Sequence, residues 1–449
     1  MLRRPDRLPL AAAPETAGRW ARRLRWGAAA IVAGSLATAG TLAQDAATET
    51  VERRKRPDFE PLGLDLDRLL YGPQRPGPST RASGGALGSF VIYPKLELET
   101  FWEDNIFRTQ NNRQDDFIFR IKPSIAIVSD WERHAVGLSA AAKFDRYAEH
   151  RSENNEEYQT EANGRLDITE DLTLSGKAGF AHLVETRGSI NDPGPLLDPT
   201  RYNAYTAQTS LEYTGPIFIR PTFDFRRLVY EDNNGIDYSD RDINQYGVRL
   251  RVGTALNAET MLFVEPGYNW RRHDRAVDNK GFRRDSEGYQ ILGGLAWNVS
   301  DVTKVEVAMG YLSQEYEDKR LGRVSGIAAQ GEIIWNATDN ITVTALLRRS
   351  VEETNVADVS GVLVTVGEAG FQYEFADNLY GLARVAFGNY DYGSADRDDS
   401  VWQFGIGLTY FLTRNFYGGI GYEYTVRDSN QAGLDFRNNR VMIRLGAQL

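Results

Sequence analysis

Side chains that could carry covalent or proton-transfer chemistry are sparse in this 449-residue chain, which has no cysteine and four histidines. Without cysteine there is no thiolate nucleophile, thiolate metal centre, iron–sulfur cluster or disulfide framework. A histidine base needs a serine or aspartate within reach. His134 lies beside a short turn signal, His150 and His273 lie in polar stretches, and His182 is nearest the body of a strand pattern; no serine motif accompanies any of them. The paired carboxylates Glu156-Glu157 and Glu352-Glu353 sit at the margins of polar loops, where solubility accounts for them. Asp232-Asn-Asn234 and Asp396-Arg-Asp-Asp399 are rich in oxygen donors but lack the ligand spacing of a calcium loop. No catalytic residue, metal or cofactor is expected. A net charge of −10 argues against nucleic acid as a partner.

What the chain does carry in quantity is charge and aromatic rings placed on opposite sides of a two-residue period. Phe117, Phe119, Ile121, Ile125 and Ile127 alternate with Arg120, Lys122 and Ser124. Leu262, Val264, Pro266, Tyr268 and Trp270 alternate with Glu265, Gly267, Asn269 and Arg271. The same pattern runs through Trp402–Tyr410 and through Val441–Leu449, where Arg444 falls on the polar side. Period two means extended strands with one oily face. No stretch after residue 88 approaches the length of a helical membrane span.

Two features separate a membrane barrel from a soluble sandwich. Tight turns are expected at 129–132, 169–171, 215–216, 257–259, 300–301, 338–340, 376–378 and 413–415, recurring every 37–45 residues. Longer Asp/Asn/Gly/Arg-rich loops lie between them, among them 104–115, 187–201, 231–241, 273–286 and 427–438. Rings also crowd the strand ends (Trp102, Trp131, Tyr213, Trp270, Trp297, Trp335, Tyr410, Phe416), where a membrane interface favours them. In lipid no water rescues an unpaired backbone group, so strands can span only as a closed sheet. The expectation is an all-β, transmembrane, antiparallel up-and-down barrel of about eighteen strands, with sixteen the next choice. A barrel of that size is too wide for side chains to fill and leaves an aqueous channel unless a loop or tether blocks it.

Residues 1–43 read as a signal peptide. Arg3, Arg4, Arg7, Arg19, Arg22, Arg23 and Arg25 precede an apolar run and the small residues Thr41-Leu42-Ala43. The true start codon could lie downstream of Met1. Removing that segment's seven basic and two acidic side chains would take the net charge from −10 to −15. Residues 44–87, with Glu52-Arg-Arg-Lys-Arg-Pro57 and Pro76-Gly-Pro78, read as a Pro/Gly-rich periplasmic tether or a plug for the lumen. Residues 88–449 are the barrel.

The residues of the first hairpin carry a resemblance. Gly88-Ser-Phe-Val-Ile-Tyr-Pro-Lys-Leu-Glu-Leu-Glu99, Glu103-Asp-Asn-Ile-Phe-Arg-Thr109, Lys122-Pro-Ser124 and Ser129-Asp-Trp-Glu-Arg-His134, with Trp402–Phe416 and Arg440–Gly446, resemble the outer-membrane β-barrel family called putative β-barrel porin 2. The resemblance implies a porin-like barrel in the outer membrane of a Gram-negative bacterium, and an association with exopolysaccharide production and export. One departure is Leu449, where such barrels usually end in an aromatic that aids insertion.

By alternation the lumen-lining candidates are Arg120, Lys122, Arg220, Asp224, Arg226, Arg249, Arg251, Glu265, Arg271, Arg348, Arg384 and Arg444, with Glu97, Glu99, Glu306, Glu332 and Glu423 on the same face. Opposed acidic and basic walls would favour polar, hydroxyl-rich solutes. Pairing between neighbouring strands would instead neutralise them. Arg226/Arg227 with Arg249/Arg251 form the most basic region, which an anionic solute would meet first. The leading function is a porin-like channel for a secreted exopolysaccharide or another polar solute. The alternatives are an adhesin or export-complex scaffold and, behind both, a lipid-modifying enzyme. Expected partners are outer-membrane lipid, the barrel-insertion machinery and a periplasmic polysaccharide-export protein.

Overall fold

The computed structural model describes residues 82–192, 194, 197–257, 259–300 and 303–449. The expected signal peptide at 1–43, and the tether up to residue 81, lie outside the described residues. Among the described residues nineteen strands run in chain order. They are β1 Gly85–Leu87, β2 Phe90–Glu103, β3 Asp116–Ser129, β4 Ala135–Tyr147, β5 Asn155–Asp167, β6 Leu172–Val184, β7 Arg201–Thr214, β8 Ile217–Tyr230, β9 Ile243–Ala255 and β10 Thr260–His273. Then follow β11 Ser286–Ser300, β12 Thr303–Tyr316, β13 Val324–Thr338, β14 Ile341–Glu352, β15 Val362–Ala376, β16 Leu379–Asp391, β17 Asp398–Phe411, β18 Phe416–Ser429 and β19 Phe436–Gln448.

Each of β2 to β19 pairs antiparallel with its chain neighbour, and β19 closes on β2 from Arg440↔Glu103 to Gln448↔Lys95. The ring therefore has the eighteen strands expected, with one short strand added. That strand, β1, turns back from β2 through Gly88 and pairs Gly85↔Ile92 to Leu87↔Phe90. Gly88 stands at φ +59°, a conformation in which a side chain would be strained. β1 lies alongside β2 beyond the last β19 pair, and Gly84 N–H donates to Leu449 O at 2.9 Å. It covers an edge that would otherwise be bare. The barrel wall thus begins at Gly85, inside the stretch the sequence suggested as tether.

Between β2 and β19 the connections follow the expected alternation: eight tight ones at one end and nine longer loops at the other. The burial pattern is that of a soluble protein turned inside out. Met309, Ile406, Ile443 and Leu445 are 60–65% exposed, whereas Glu97 and Arg444 are fully buried. That inversion requires a lipid solvent outside and a polar interior. On the tight-turn end Trp131, Tyr213, Trp297, Trp335, Tyr410 and Phe416 all present exposed rings. Towards the loops a second belt forms, with Tyr246 stacked on Trp270 at 5.6 Å and Phe387 against Trp402 at 4.7 Å. On β17, Trp402 and Tyr410 mark the two belts; eight residues at about 3.3 Å each, tilted by about 40°, give a height of roughly 20 Å.

Three prolines interrupt the ladders locally. Pairing skips Pro123, Pro221 and Pro266, each lacking the N–H that the ladder needs. A larger irregularity separates β13 from β14. Their last pair towards the loops is Gln330↔Arg348, after which Val324–Ala329 continue with β12 alone and Arg349–Glu352 with β15 alone. The freed tips lean inward, and Val351 and Leu363 pack with Leu292, Leu312 and Ala328 from the inner face of β11–β13.

Candidate functional site: a paired lumen crossed by a strap

The inward charges form two networks. At the seam, Glu97 accepts from Arg444 Nη1 at 2.8 Å and from the Tyr417 hydroxyl at 2.6 Å, with Lys95 Nζ at 3.3 Å. Lys122 lies between Glu97 (4.0 Å) and Glu99 (3.6 Å). Arg120 donates twice to Asp145, at 2.6 and 2.9 Å, and approaches Glu99 at 3.8 Å. Glu103 is held by Arg108 at 2.7 Å and Arg440 at 2.5 Å. Across the barrel the arrangement is centred on a cation. Arg251, 1% exposed, donates to Glu265 at 2.5 Å and Glu306 at 3.1 Å, and its guanidinium covers the Phe263 ring at 3.9 Å. Arg249 donates to Asp224 at 2.9 Å, and Arg220 faces Glu212 at 3.7 Å. Arg384–Glu368 (2.5 Å), Arg271–Glu353 (2.5 Å) and Arg348–Glu352 (3.5 Å) stand as further pairs.

The twelve sequence candidates are therefore on the inner face, but the basic region is not the one expected. Arg249 and Arg251 are engaged by Asp224, Glu265 and Glu306. Arg227 turns the other way. On β8 the even positions face inward, so Arg227 lies on the outer side near the rim, bonded to Asp274 at 2.7 Å and to Asn244 at 3.1 Å. Only Arg226 of that adjacent pair lines the interior.

Sequence reasoning missed the element that crosses the opening. The 16-residue connection between β6 and β7 does not stay at the rim. Ile190 packs on Val359, Val362, Val364 and Tyr390, around β15 and β16. In an eighteen-strand ring, β15 is diametrically opposite β6. Asn355 N–H donates to Asn191 Oδ1 at 2.9 Å, and Arg427 Nη1 to Gly188 O at 3.1 Å. Arg187 fastens the base of this strap. Its guanidinium grips Glu153 at 2.6 and 2.9 Å and donates to Leu197 O and Gly194 O at 2.6 and 2.7 Å. Burial disfavours the Arg187 charge, but the Glu153 and Asp192 carboxylates outweigh it and hold its pKa raised. The only sequence signal is the length of this loop and its Pro-Gly-Pro centre at 193–195.

Between the strap, the β7–β9 wall and the loops at 231–242, 274–285 and 353–361 lies a cavity of about 440 Å³. Tyr202 and Tyr230 stack within it at 5.3 Å. Arg241 lies 3.9 Å above the Tyr230 ring and is bonded to Glu185. Burial again opposes the charge, and Glu185 and Tyr230 again keep the Arg241 pKa raised. Arg284 ties the 353–361 loop in place through Thr354 O, Val356 O and Val359 O at 2.9–3.0 Å. It also donates to Asp278 at 2.6 Å. Burial pushes the Asp278 carboxyl up, and bonds from Phe282 N–H and Arg284 more than reverse this, leaving it below its ordinary value of 3.8.

The histidines have other partners: His150 Nδ1 lies 3.0 Å from Asp116, and His182 Nδ1 lies 3.0 Å from Asn203 Oδ1 with its ring stacked on Tyr158.

A closed eighteen-strand ring with an oily exterior, two aromatic belts and a charged interior defines an outer-membrane β-barrel. The chain belongs to the family described as Putative beta-barrel porin 2, whose model matches residues 77–449. It is a porin-like barrel of the bacterial outer membrane. No curated protein matches it. Among solved structures it is similar to Pseudomonas aeruginosa OpdK crystallised with vanillate (12% identity, TM-score 0.43, covering 80% of this chain and 99% of that one). It is also similar to P. aeruginosa OpdO (15%, 0.43, 80% and 97%) and OccK9 (OpdG) (12%, 0.43, 80% and 98%).

Proposed function

We propose that the barrel is a passive channel for polar, hydroxyl-rich solutes, and that its cargo class is a secreted polysaccharide or pieces of one. The observation that carries this reading is the mutual pairing of the inward charges. A wall of fixed guanidinium–carboxylate pairs offers many oriented donors and acceptors without a strong field of one sign, so a neutral solute can trade its water for wall contacts. An anionic chain would meet Arg249 and Arg251 already engaged by carboxylates. On this reading the segment that precedes the barrel wall is the natural contact for a periplasmic export partner, while the insertion machinery assembles the barrel.

The test is liposome swelling and planar-bilayer conductance with purified protein. A channel of this kind admits neutral saccharides faster than anionic sugars of equal size, and deleting the gene stops polymer export while the glycosyltransferases remain intact. Absence of both conductance and swelling would reject the channel. The strap favours one second reading, a barrel closed at rest whose loops act as an export-complex scaffold; deletion would then stop export although the purified barrel conducts nothing.

A further inference from the structure

We infer that the cavity between the strap and the β7–β9 wall is a binding site for a neutral saccharide unit, with Tyr202 and Tyr230 as its aromatic wall. The inference rests on the channel reading and adds the place and the ligand class.

The first ground is construction. The cavity is closed by elements from opposite sides of the ring: the strap from β6–β7, and the Glu352–Asn355 segment that follows the inward-leaning tip of β14. They are joined where Asn355 N–H meets Asn191 Oδ1 at 2.9 Å, and Lys280 donates to Asn355 O. Arg284 adds three bonds to backbone carbonyls of the same segment. At 440 Å³ the space is at the lower end of the range for small-molecule sites, about 300–1,000 Å³, and suits a mono- or disaccharide.

The second ground is the chemistry of the lining. The stacked Tyr202–Tyr230 pair, with Arg241 over the Tyr230 ring, gives the cavity a rigid aromatic wall against which the C–H groups of a sugar can pack. Ile190, Leu197, Leu228 and Ile243 extend the apolar part. Around it the carboxylates are already matched. Glu185 is bonded to Arg241, and Asp278 to Arg284 at 2.6 Å. Asp237 pairs with Arg275 at 3.0 Å, and Glu353 with Arg271 at 2.5 Å. Matched pairs hold planar acceptors and donors in fixed orientation, which suits hydroxyl groups, and they leave little net charge to draw an ion. An anionic sugar would meet Arg241 and Arg284 already held by carboxylates.

The third ground is position. Arg226 and Gln245 line the same cavity and belong to the inner faces of β8 and β9, so the site is continuous with the lumen wall. A solute moving along that wall passes through it.

The experiment is calorimetric titration of the full chain, folded in detergent, with cellobiose and with digalacturonate. Cellobiose is expected to give a saturable heat and digalacturonate none. Tyr230→Ala should weaken cellobiose by about fivefold or more, the scale of one aromatic contact, and Tyr230→Phe should retain it. Lys319→Ala, on an exposed loop away from the cavity, should bind as the parent does. Folding of each variant is checked by its gel shift on boiling. Digalacturonate binding more tightly than cellobiose, no heat with either sugar, or an unaffected Tyr230→Ala would each overturn the site. Conductance is read separately. A barrel that binds cellobiose but passes no current overturns the channel and leaves the site standing, and one that conducts without binding overturns the site alone.

Discussion

The seam wall and the wall opposite it use the same alternation and the same residue types, yet they are built in opposite senses. At the seam a buried carboxylate, Glu97, collects donors from Arg444, Tyr417 and Lys95. Opposite, a buried guanidinium, Arg251, gives to Glu265 and Glu306. The partners differ even more in origin. Arg444 is 347 positions from Glu97, whereas Glu265 is 14 from Arg251, on the other strand of one hairpin. The Arg444–Glu97 pair can form only after the other strands are in line, so it fastens the ring; the Arg251–Glu265 pair forms inside a hairpin that already exists, Glu306 joins it from β12, and together they shape the passage instead.

The largest effect expected from breaking this contrast is at the seam. Arg444→Ala leaves Glu97 buried with one cation fewer, and about 3 kcal/mol of stability should be lost. The folded band on unboiled gels should disappear at a lower temperature than for Arg251→Ala. Arg251→Ala should mainly raise cation over anion permeability in bilayers, because Glu265 and Glu306 lose their shared partner. If the two variants unfold together and select alike, the contrast fails. Next in size is Gly88→Val. A β-branched side chain at φ +59° should cost about 1–3 kcal/mol and free β1, seen as faster hydrogen exchange at Ile92, the partner of Gly85, with the rest of the seam intact. The smallest effect sharpens the loop side. The Asp278 pKa is depressed, so its stabilisation is complete above 3.8 and is lost as the pH falls through the lowered value. An acid protease should cut the 274–285 loop only below pH 3.8, and Asp278→Asn should make that loop cleavable at higher pH.

Much of the ring was readable from the residues because its rules are local. Alternation puts Arg120 and Phe119 on opposite faces whatever the rest of the chain does, and turn chemistry at Asn257-Ala-Glu259 or Thr413-Arg-Asn415 ends a strand where it stands. The same parity rule, applied strictly, separates Arg227 from Arg226. What could not be read depends on contacts between distant segments. Nothing near Asn191 announces Asn355, 164 positions away, and nothing in β14 announces that its tip leaves β13. Residue types identified the polar stripe; only the closed register says which arginine neutralises which carboxylate. The cavity was invisible for the same reason, since its walls come from four separate connections and one strand sheet.

The strap has a consequence for how a long molecule could leave. It is tied to the chain at both ends and pinned to the far side of the mouth, so it acts as a crossbar over the exit. Were the proposed polymer cargo to travel outward, it would have to pass on one side of the bar and thread end-first. A folded-back or heavily branched strand would snag on it.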